Sequence, residues 1–395
     1  MTKKLHILSL SSLLPIKGLK RENDVILRLY YEMAKVIPIN VTFFKSINYV
    51  PFPLKFISKK SLIIYRLRRR EKVLAENYQY VINLFSWFAW KNNLHLKRLL
   101  SRINYWLFAN KINQFIRENS IDIIHAHTFS PDAYIAYRLK EKYGIEYVLT
   151  MRMKPDDRLE MYPQLLRIVE NAKAVICHNY QLYKLYSEKY NVQFMPHGLS
   201  HEFFNNKPKR ESSTIFNKRR PFKLLTVARL LGLKNIDVII EVVRRMKEQG
   251  KSINYIIIGE GPERNKLERL IQQHDMTDSI HMVTWQNEND LIGYYDDADA
   301  FIMMSKPETF GRVYLEAAAR NLPIIACKNT GIDGYFSDDE ALFLDDNIEA
   351  IFKNLLHLYE SFEEVMIPLS KAAFRKAESL TWDNIVRQYI NIYKD

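Results

Sequence analysis

The decisive stretch is Ser305-Lys306-Pro307-Glu308-Thr309-Phe310-Gly311-Arg312-Val313-Tyr314-Leu315-Glu316. It runs on through Ala317-Ala318-Ala319-Arg320-Asn321-Leu322-Pro323 to Ile324-Ile325-Ala326-Cys327 and Asn329-Thr330-Gly331. The apolar run Ala300-Phe301-Ile302-Met303-Met304 before it reads as a buried strand. Lys306-Pro307 ends that strand, because proline cannot continue a ladder. Val313, Leu315 and Ala317 to Ala319 carry a helix, and Ile324 to Cys327 a second short strand. Glu308 therefore falls in the crevice after a strand, with Glu316 about two turns up the next helix. The peptide N–H groups of Thr309, Phe310, Gly311 and Arg312 point out of that helix's N-terminus, a ready anion site. Taken alone, the segment is equally satisfied by a strand, a turn and an amphipathic helix with two incidental glutamates.

Composition narrows the setting. A chain of 395 residues has room for two ordinary domains with sizeable cores. With 47% hydrophobic residues, 24 Tyr and 21 Phe, it is globular and not disordered. No window reaches the ~18 consecutive apolar residues of a membrane span. The opening Met1 to Leu10 reads as a first strand and not as a signal peptide. Cys177 and Cys327 lie far apart in apolar runs, so a reduced cytoplasmic chain without disulfide or metal framework is expected. The net charge of +13 is unevenly spread. Residues 1–100 hold 19 Lys and Arg against 5 Asp and Glu, whereas residues 201–395 hold 26 against 30. Such asymmetry points to an anionic partner for the front of the chain.

Working outward, Leu5 to Leu10 is a strand signal, Val25, Ile26, Leu29, Tyr30 and Met33 recur at helical spacing, and Ile39 to Phe44 is a second strand. This βαβ opening predicts a parallel sheet. Residues 46–118 interleave cations, densest at Arg66 to Arg70, with aromatics such as Phe85-Ser86-Trp87-Phe88-Ala89-Trp90. That pattern fits an anionic membrane surface or acceptor, or a solvated helix face over a core. Nucleic acid is the weakest reading and is not expected as a partner. The strand Ile121 to His127 ends in two histidines on one face. No Cys, Asp or Glu set completes a metal site around them, so no metal is expected. Further strands fall at Tyr147 to Thr150 and Ala174 to Cys177. The polar segment Asn205 to Arg220 reads as a linker.

A second run of strands and helices begins at Phe222 to Ala228 and continues through Arg229 to Asn235 and the helix Ile236 to Lys247. Strands at Ile253 to Ile258 and Ile280 to Val283 follow, and the tail Leu380 to Asp395 is an amphipathic helix with Thr381 as its N-cap. The fold class is thus α/β, with two doubly wound Rossmann-like domains, 1–204 and 205–379, and a helix at 380–395 packing back on the first. Ligand is expected between the domains, at the carboxyl ends of the strands.

Strand-end loops of one open sheet converge, which brings Arg229 and Lys234 towards the helix N-terminus at 309–312. Two cations and several oriented N–H groups suit a diphosphate. Glu308 beside them would repel phosphate but accept from sugar hydroxyls, and Glu316 suits a ribose. Gly259-Glu260-Gly261 lacks the third glycine of a dinucleotide fingerprint. Asp297-Ala298-Asp299 reads as a polar helix-to-strand turn and not as a metal–nucleotide signature.

Several separated motifs, in order, resemble those of the family-4 retaining glycosyltransferases of GT-B fold, of the bacterial surface-polysaccharide type. They are Val227-Ala228-Arg229 with Lys234-Asn235, Ile258-Gly259-Glu260-Gly261-Pro262, Ser305 to Glu316, and Asn329-Thr330-Gly331. Asp122 to His127, Pro196-His197-Gly198 and Leu380-Thr381-Trp382-Asp383 extend the resemblance nearly end to end. It implies two domains facing a cleft and donor contacts from Arg229, Lys234, Gly259, Gly261, Thr309, Phe310, Gly311, Arg312 and Glu316. Glu308 would orient the transferred sugar and His127 would contact it. Gly18, Lys20, Arg21 and Arg152 are the expected acceptor contacts, although the family's first loop often has paired glycines where only Gly18 stands here. Gln286 replaces a common glycine near Trp285, where the base is read. The implied activity is transfer, with retention and without metal or cofactor, from a UDP- or GDP-sugar to a glycan or lipid-linked acceptor. The implied place is the cytoplasm, at the inner face of the membrane. A sugar-nucleotide 2-epimerase of the same fold and a non-catalytic nucleotide-sugar binding module are the competing readings.

Overall fold

The computed structural model describes residues 3–11, 13, 25–48, 56, 78–83, 102–103, 105–106, 109, 112–152, 163–205 and 220–395. Gly18, Lys20, Arg21, the basic run at 66–70, the aromatic run at 85–90 and all of the linker but its end residues lie outside them. The chain divides into two compact units. The first comprises Met1–His178, Tyr183–Met195 and Val386–Asp395, and the second Asn179–Leu182 and Pro196–Ile385.

The first unit is built on β1 (Leu5–Leu10), α1 (Val25–Val36), β2 (Ile39–Asn48), β3 (Tyr78–Asn83) and β4 (Ile123–Ala126). It continues with α2 (Tyr134–Tyr143), β5 (Tyr147–Met151), α3 (Pro163–Glu170), β6 (Ala174–Cys177), α4 (Tyr180–Tyr186) and β7 (Val192–Phe194). All seven strands are parallel, in the order β3-β2-β1-β4-β5-β6-β7. Leu8 faces Thr42 on one side and Ile124 on the other, so β1 is central. A central parallel strand is covered on both faces, which is why Ile7, Leu8 and Leu10 form a near-continuous apolar run at 0–2% exposure.

The second unit runs β8 (Phe222–Val227), α5 (Ile236–Glu248), β9 (Ile253–Ile258), α6 (Arg264–Gln273), β10 (Ile280–Val283), α7 (Glu288–Asp297) and β11 (Ala300–Met303). After these come α8 (Arg312–Ala319), β12 (Ile324–Cys327), β13 (Leu342–Leu344), α9 (Ile348–Glu360) and α10 (Phe362–Ala377), and the last helix, α11 (Trp382–Lys394), belongs to the first unit from Val386 onward. Its six strands are parallel in the order β10-β9-β8-β11-β12-β13. Ile239, Ile240 and Val243 recur at helical spacing on α5 and pack into a core with Leu224, Tyr255 and Ile302. Both units are therefore doubly wound and Rossmann-like, as the alternation of strand and helix patterns predicts. The short strands β7 and β13 and the strand β3 were not anticipated, and β11 stops one residue before Met304.

Asp297-Ala298-Asp299 proves structural. The Arg220 guanidinium grips both Asp299 oxygens at 2.6 and 2.7 Å, the Lys223 amide donates to Oδ2 at 2.8 Å, and Lys223 Nζ pairs with Asp297 at 2.6 Å. Arg320, 1% exposed, is held in the same manner. Its Nε and Nη2 each lie 2.7 Å from Asp296, and Nη1 donates to the carbonyls of Phe203 and Asn205. Every arm of this buried cation is paired. Arg320→Met is expected to lower stability by about 2–3 kcal/mol, below the full cost of a broken buried pair because Asp296 is partly exposed. Urea unfolding of the variant checks this, and an unchanged midpoint would contradict it.

Candidate functional site

In both sheets the strand order reverses beside the unit's first strand, between β1 and β4 and between β8 and β11. Helices leave opposite faces on the two sides of such a point, so a crevice opens at the carboxyl ends of the strands. In the second unit the loop after β8 carries Arg229 and Lys234, and the loop after β11 carries Ser305 to Gly311. The Lys306 amide donates to Leu233 O at 2.9 Å and Asn235 Nδ2 to Met304 O at 2.9 Å, tying the two loops together.

Glu308 is the best-fixed residue there. Its amide donates to Thr330 Oγ1 at 2.7 Å, while its carbonyl accepts from the Thr330 hydroxyl and the Gly331 amide, each at 3.2 Å. Its carboxylate takes Lys234 Nζ on Oε2 at 2.5 Å and the Thr309 amide on Oε1 at 3.0 Å. The Lys234 and Glu308 side chains are only 14% and 13% exposed, so the ion pair is partly withdrawn from water. Lys234 was expected, with Arg229, to face a diphosphate; its ammonium meets the Glu308 carboxylate. The Thr309 amide, expected to serve a ligand, is already engaged by Glu308. The helix begins at Arg312, with Gly311 as N-cap at φ +86°, a conformation that favours glycine. Phe310 is buried edge-on against Tyr335 and so acts through its backbone or through packing.

Glu316 is 2% exposed and accepts from Tyr295 Oη and Arg312 Nε, each at 2.8 Å. Arg312 is thus Glu316's partner, and a ribose would share the carboxylate with two protein donors. Gly259 and Gly261 bear on the site through the backbone. A Cβ at Gly259 would stand 1.8 Å from Ala228 O, and one at Gly261 2.1 Å from Leu230 O. Only glycine lets this turn press against the loop that presents Arg229, which is itself exposed.

The first unit assembles a different cluster. His127 follows β4, its amide donating to Leu10 O at 2.9 Å. Its ring stacks on His125 with centroids 3.8 Å apart, and its Nε2 lies 3.1 Å from Tyr30 Oη. His125 meets Tyr393 Oη at 2.6 Å through Nδ1 and Thr150 Oγ1 at 2.8 Å through Nε2. Arg152 follows β5, and His178, whose Nδ1 donates to Met195 O at 2.7 Å, follows β6. Of the residues expected from sequence, the first unit thus brings His127 and Arg152 to adjacent strand ends. Thr330, Tyr295, Tyr30, His178 and Tyr393 were not expected. Only Thr330 lay in a motif already singled out.

Burial, then the neighbouring positive charge of Arg152, holds the three histidines below their ordinary value of 6.5. For His127 the neighbouring His125 comes after burial and ahead of Arg152, and His178 is pushed down to about 3. The unfolded chain therefore binds protons that the folded chain refuses. Stability is complete above pH 6.5 and is lost as pH falls from there towards the folded values. The slope is about 1.4 kcal/mol per pH unit for each histidine fully inside its window. Urea midpoints at pH 7.5, 6.5 and 5.5 are expected to fall across the last step, and a flat profile would refute neutral burial.

Residues 208–368 match the family model described as glycosyl transferases group 1. The alpha-monoglucosyldiacylglycerol synthase of Acholeplasma laidlawii is 26% identical over 330 residues, 75% of this chain and 80% of that protein. The amylovoran biosynthesis glycosyltransferase AmsK of Erwinia amylovora is 29% identical over 201 residues, 49% of this chain and 47% of that one. Among solved structures, Anabaena Alr3699/HepE in complex with UDP and glucose superposes with a TM-score of 0.65 at 14% identity, covering 98% of each chain. That likeness concerns the fold. The segment matching the glycosyl transferases group 1 model carries Arg229, Lys234 and Glu308, and the two doubly wound parallel sheets have the GT-B fold.

Proposed function

We propose that the protein transfers a hexose-type sugar, with retention and without a metal ion, from a nucleotide diphosphate-sugar to a glycan or lipid-linked acceptor. The setting would be the synthesis of cell-surface polysaccharide or glycolipid. The observation that carries this reading is the Lys234–Glu308 pair, fixed by Thr330 and the Thr309 amide in the second unit's strand-end crevice. An ammonium has three donors, and only one is committed to Glu308. The others can serve a diphosphate together with Arg229 and the N-terminus of α8. When the bond between the sugar's anomeric carbon and the diphosphate breaks, its electron pair goes to the departing phosphate oxygen. These cations stabilise that charge. The acceptor hydroxyl forms the new bond on the same face and gives its proton to the departing phosphate. Glu308 accepts from hydroxyls of the transferred sugar, and by the resemblance His127 contacts that sugar as well. A neutral imidazole is suited to such a hydrogen bond.

UDP and GDP are the donor nucleotides of choice for a first screen, UDP being favoured by its presence in the HepE complex. The names of the glucolipid synthase and of the amylovoran enzyme support lipid-linked or polysaccharide acceptors. Glu308→Ala is expected to abolish transfer while leaving nucleotide diphosphate binding within about tenfold (~1.4 kcal/mol) of wild type. Lys234→Met is expected to weaken that binding further. Calorimetry with UDP and GDP beside a donor-hydrolysis assay reads both, and retained turnover in Glu308→Ala would remove its assigned role.

We place the enzyme at the inner face of the membrane on the strength of the basic first hundred residues. Among the described residues no helix is long and apolar enough to cross a membrane. Reversing charge across Arg66 to Arg70 is expected to weaken sedimentation with anionic liposomes, more at low salt than at high. Absence of liposome binding by the wild type would end this assignment.

A further inference from the structure

We infer that the first unit holds a binding site for an oxyanion, seated on the Arg152 guanidinium, and that this site takes an anionic group of the acceptor. The acceptor assignment rests on the glycosyltransferase reading; the oxyanion site does not.

Three adjacent parallel strands, β4, β5 and β6, end side by side, with Ala126 opposite Leu149 and Met151 opposite Cys177. The residues immediately beyond their carboxyl ends are His127, Arg152 and His178. The cation is thus flanked on both sides by imidazoles that are themselves buried. Arg152 is only partly exposed, and its Nε is sealed from solvent without a hydrogen-bond partner. Among the described residues no carboxylate pairs with it, and burial disfavours its charge.

Arg320 supplies the internal standard. That guanidinium is also buried, and the fold surrounds it with the Asp296 carboxylate and two carbonyls. A buried cation left without such partners costs several kcal/mol. At Arg152 the described residues supply neutral rings instead. Even these are held neutral partly by its own charge. The missing counter-charge fits a ligand. A guanidinium presents a planar fork that matches two oxygens of a phosphate or carboxylate. The position at the strand ends, beside the point where strand order reverses, is where a doubly wound sheet receives ligands. Phosphate ester and carboxylate share this chemistry, and they are separable by probe.

The test uses the full chain saturated with whichever nucleotide diphosphate binds, so that the donor's phosphate contacts are occupied. Melting temperature and calorimetry are then followed against inorganic phosphate, and separately against acetate, at fixed ionic strength with chloride as reference. We expect one of the two anions to raise the wild-type melting temperature by several degrees. Arg152→Gln should bind that anion at least tenfold more weakly, with Arg152→Lys between. In buffer free of both anions Arg152→Gln should melt no lower than wild type, since it removes an uncompensated charge. Equal anion responses in wild type and Arg152→Gln would overturn the site. So would an Arg152→Gln protein several degrees less stable in anion-free buffer, which would mean a partner within the protein. An anion response seen only without nucleotide would assign the arginine to the donor and overturn the acceptor role. Failure of the glycosyltransferase reading would look different: no turnover of any nucleotide-sugar, with the Arg152-dependent response intact.

Discussion

In each unit a parallel sheet reverses its strand order beside its own first strand, and a cluster of polar and titratable side chains gathers at that reversal. Strands β8 and β11 are sequence-distant yet hydrogen-bonded neighbours, pairing Leu224 with Ala300 and Leu225 with Phe301. Their carboxyl ends therefore deliver Lys234 and Glu308, separated by 74 residues, to one ion pair. Strands β1 and β4 do the same for Leu10 and His127. Neither pairing depends on a special side chain to bring it about. The right-handed crossovers of a doubly wound sheet leave a crevice at this point, and polar residues there escape the apolar layers on both faces.

Charge is handled in two ways in the molecule. Asp299 with Arg220 and Asp296 with Arg320 are closed pairs in which nearly every donor has an acceptor. Such groups secure loops and helix ends. Lys234 with Glu308 is an open pair, since the ammonium retains donors and lies at a crevice. Arg152 is more open still. The gradation from closed to open separates scaffold from site, because an unsatisfied buried charge is tolerated only where something else completes it.

Glu316 shows how a site can be braced from behind. Sealed at 2% exposure, it is shared between Tyr295 on Oε2 and Arg312 on Oε1, so it orients the first turn of α8. Gly259 and Gly261 brace the other side by allowing backbone to touch backbone behind Arg229.

Local pattern alone determined that the chain is α/β with two doubly wound domains. Buried parallel strands are apolar runs and their crossover helices are amphipathic, and both signals are local. It also placed Arg229, Lys234, Glu308 and His127 after strands, where the structure has them. The strands β7 and β13 were invisible because three residues carry too little periodicity, and β3 was hidden in a stretch dominated by cations and aromatics. Tertiary structure decided the partners. That Lys234 meets Glu308, that Thr330 holds the Glu308 backbone and that Tyr393 reaches His125 across 268 residues are consequences of strand order and loop path. It also decided that Arg152 has, among the described residues, no counterpart to the carboxylate that Arg320 has. Sequence specifies each residue's own preference; which charge ends up beside which is settled only when the sheets close, because that energy resides in contacts between segments with no local relation to one another.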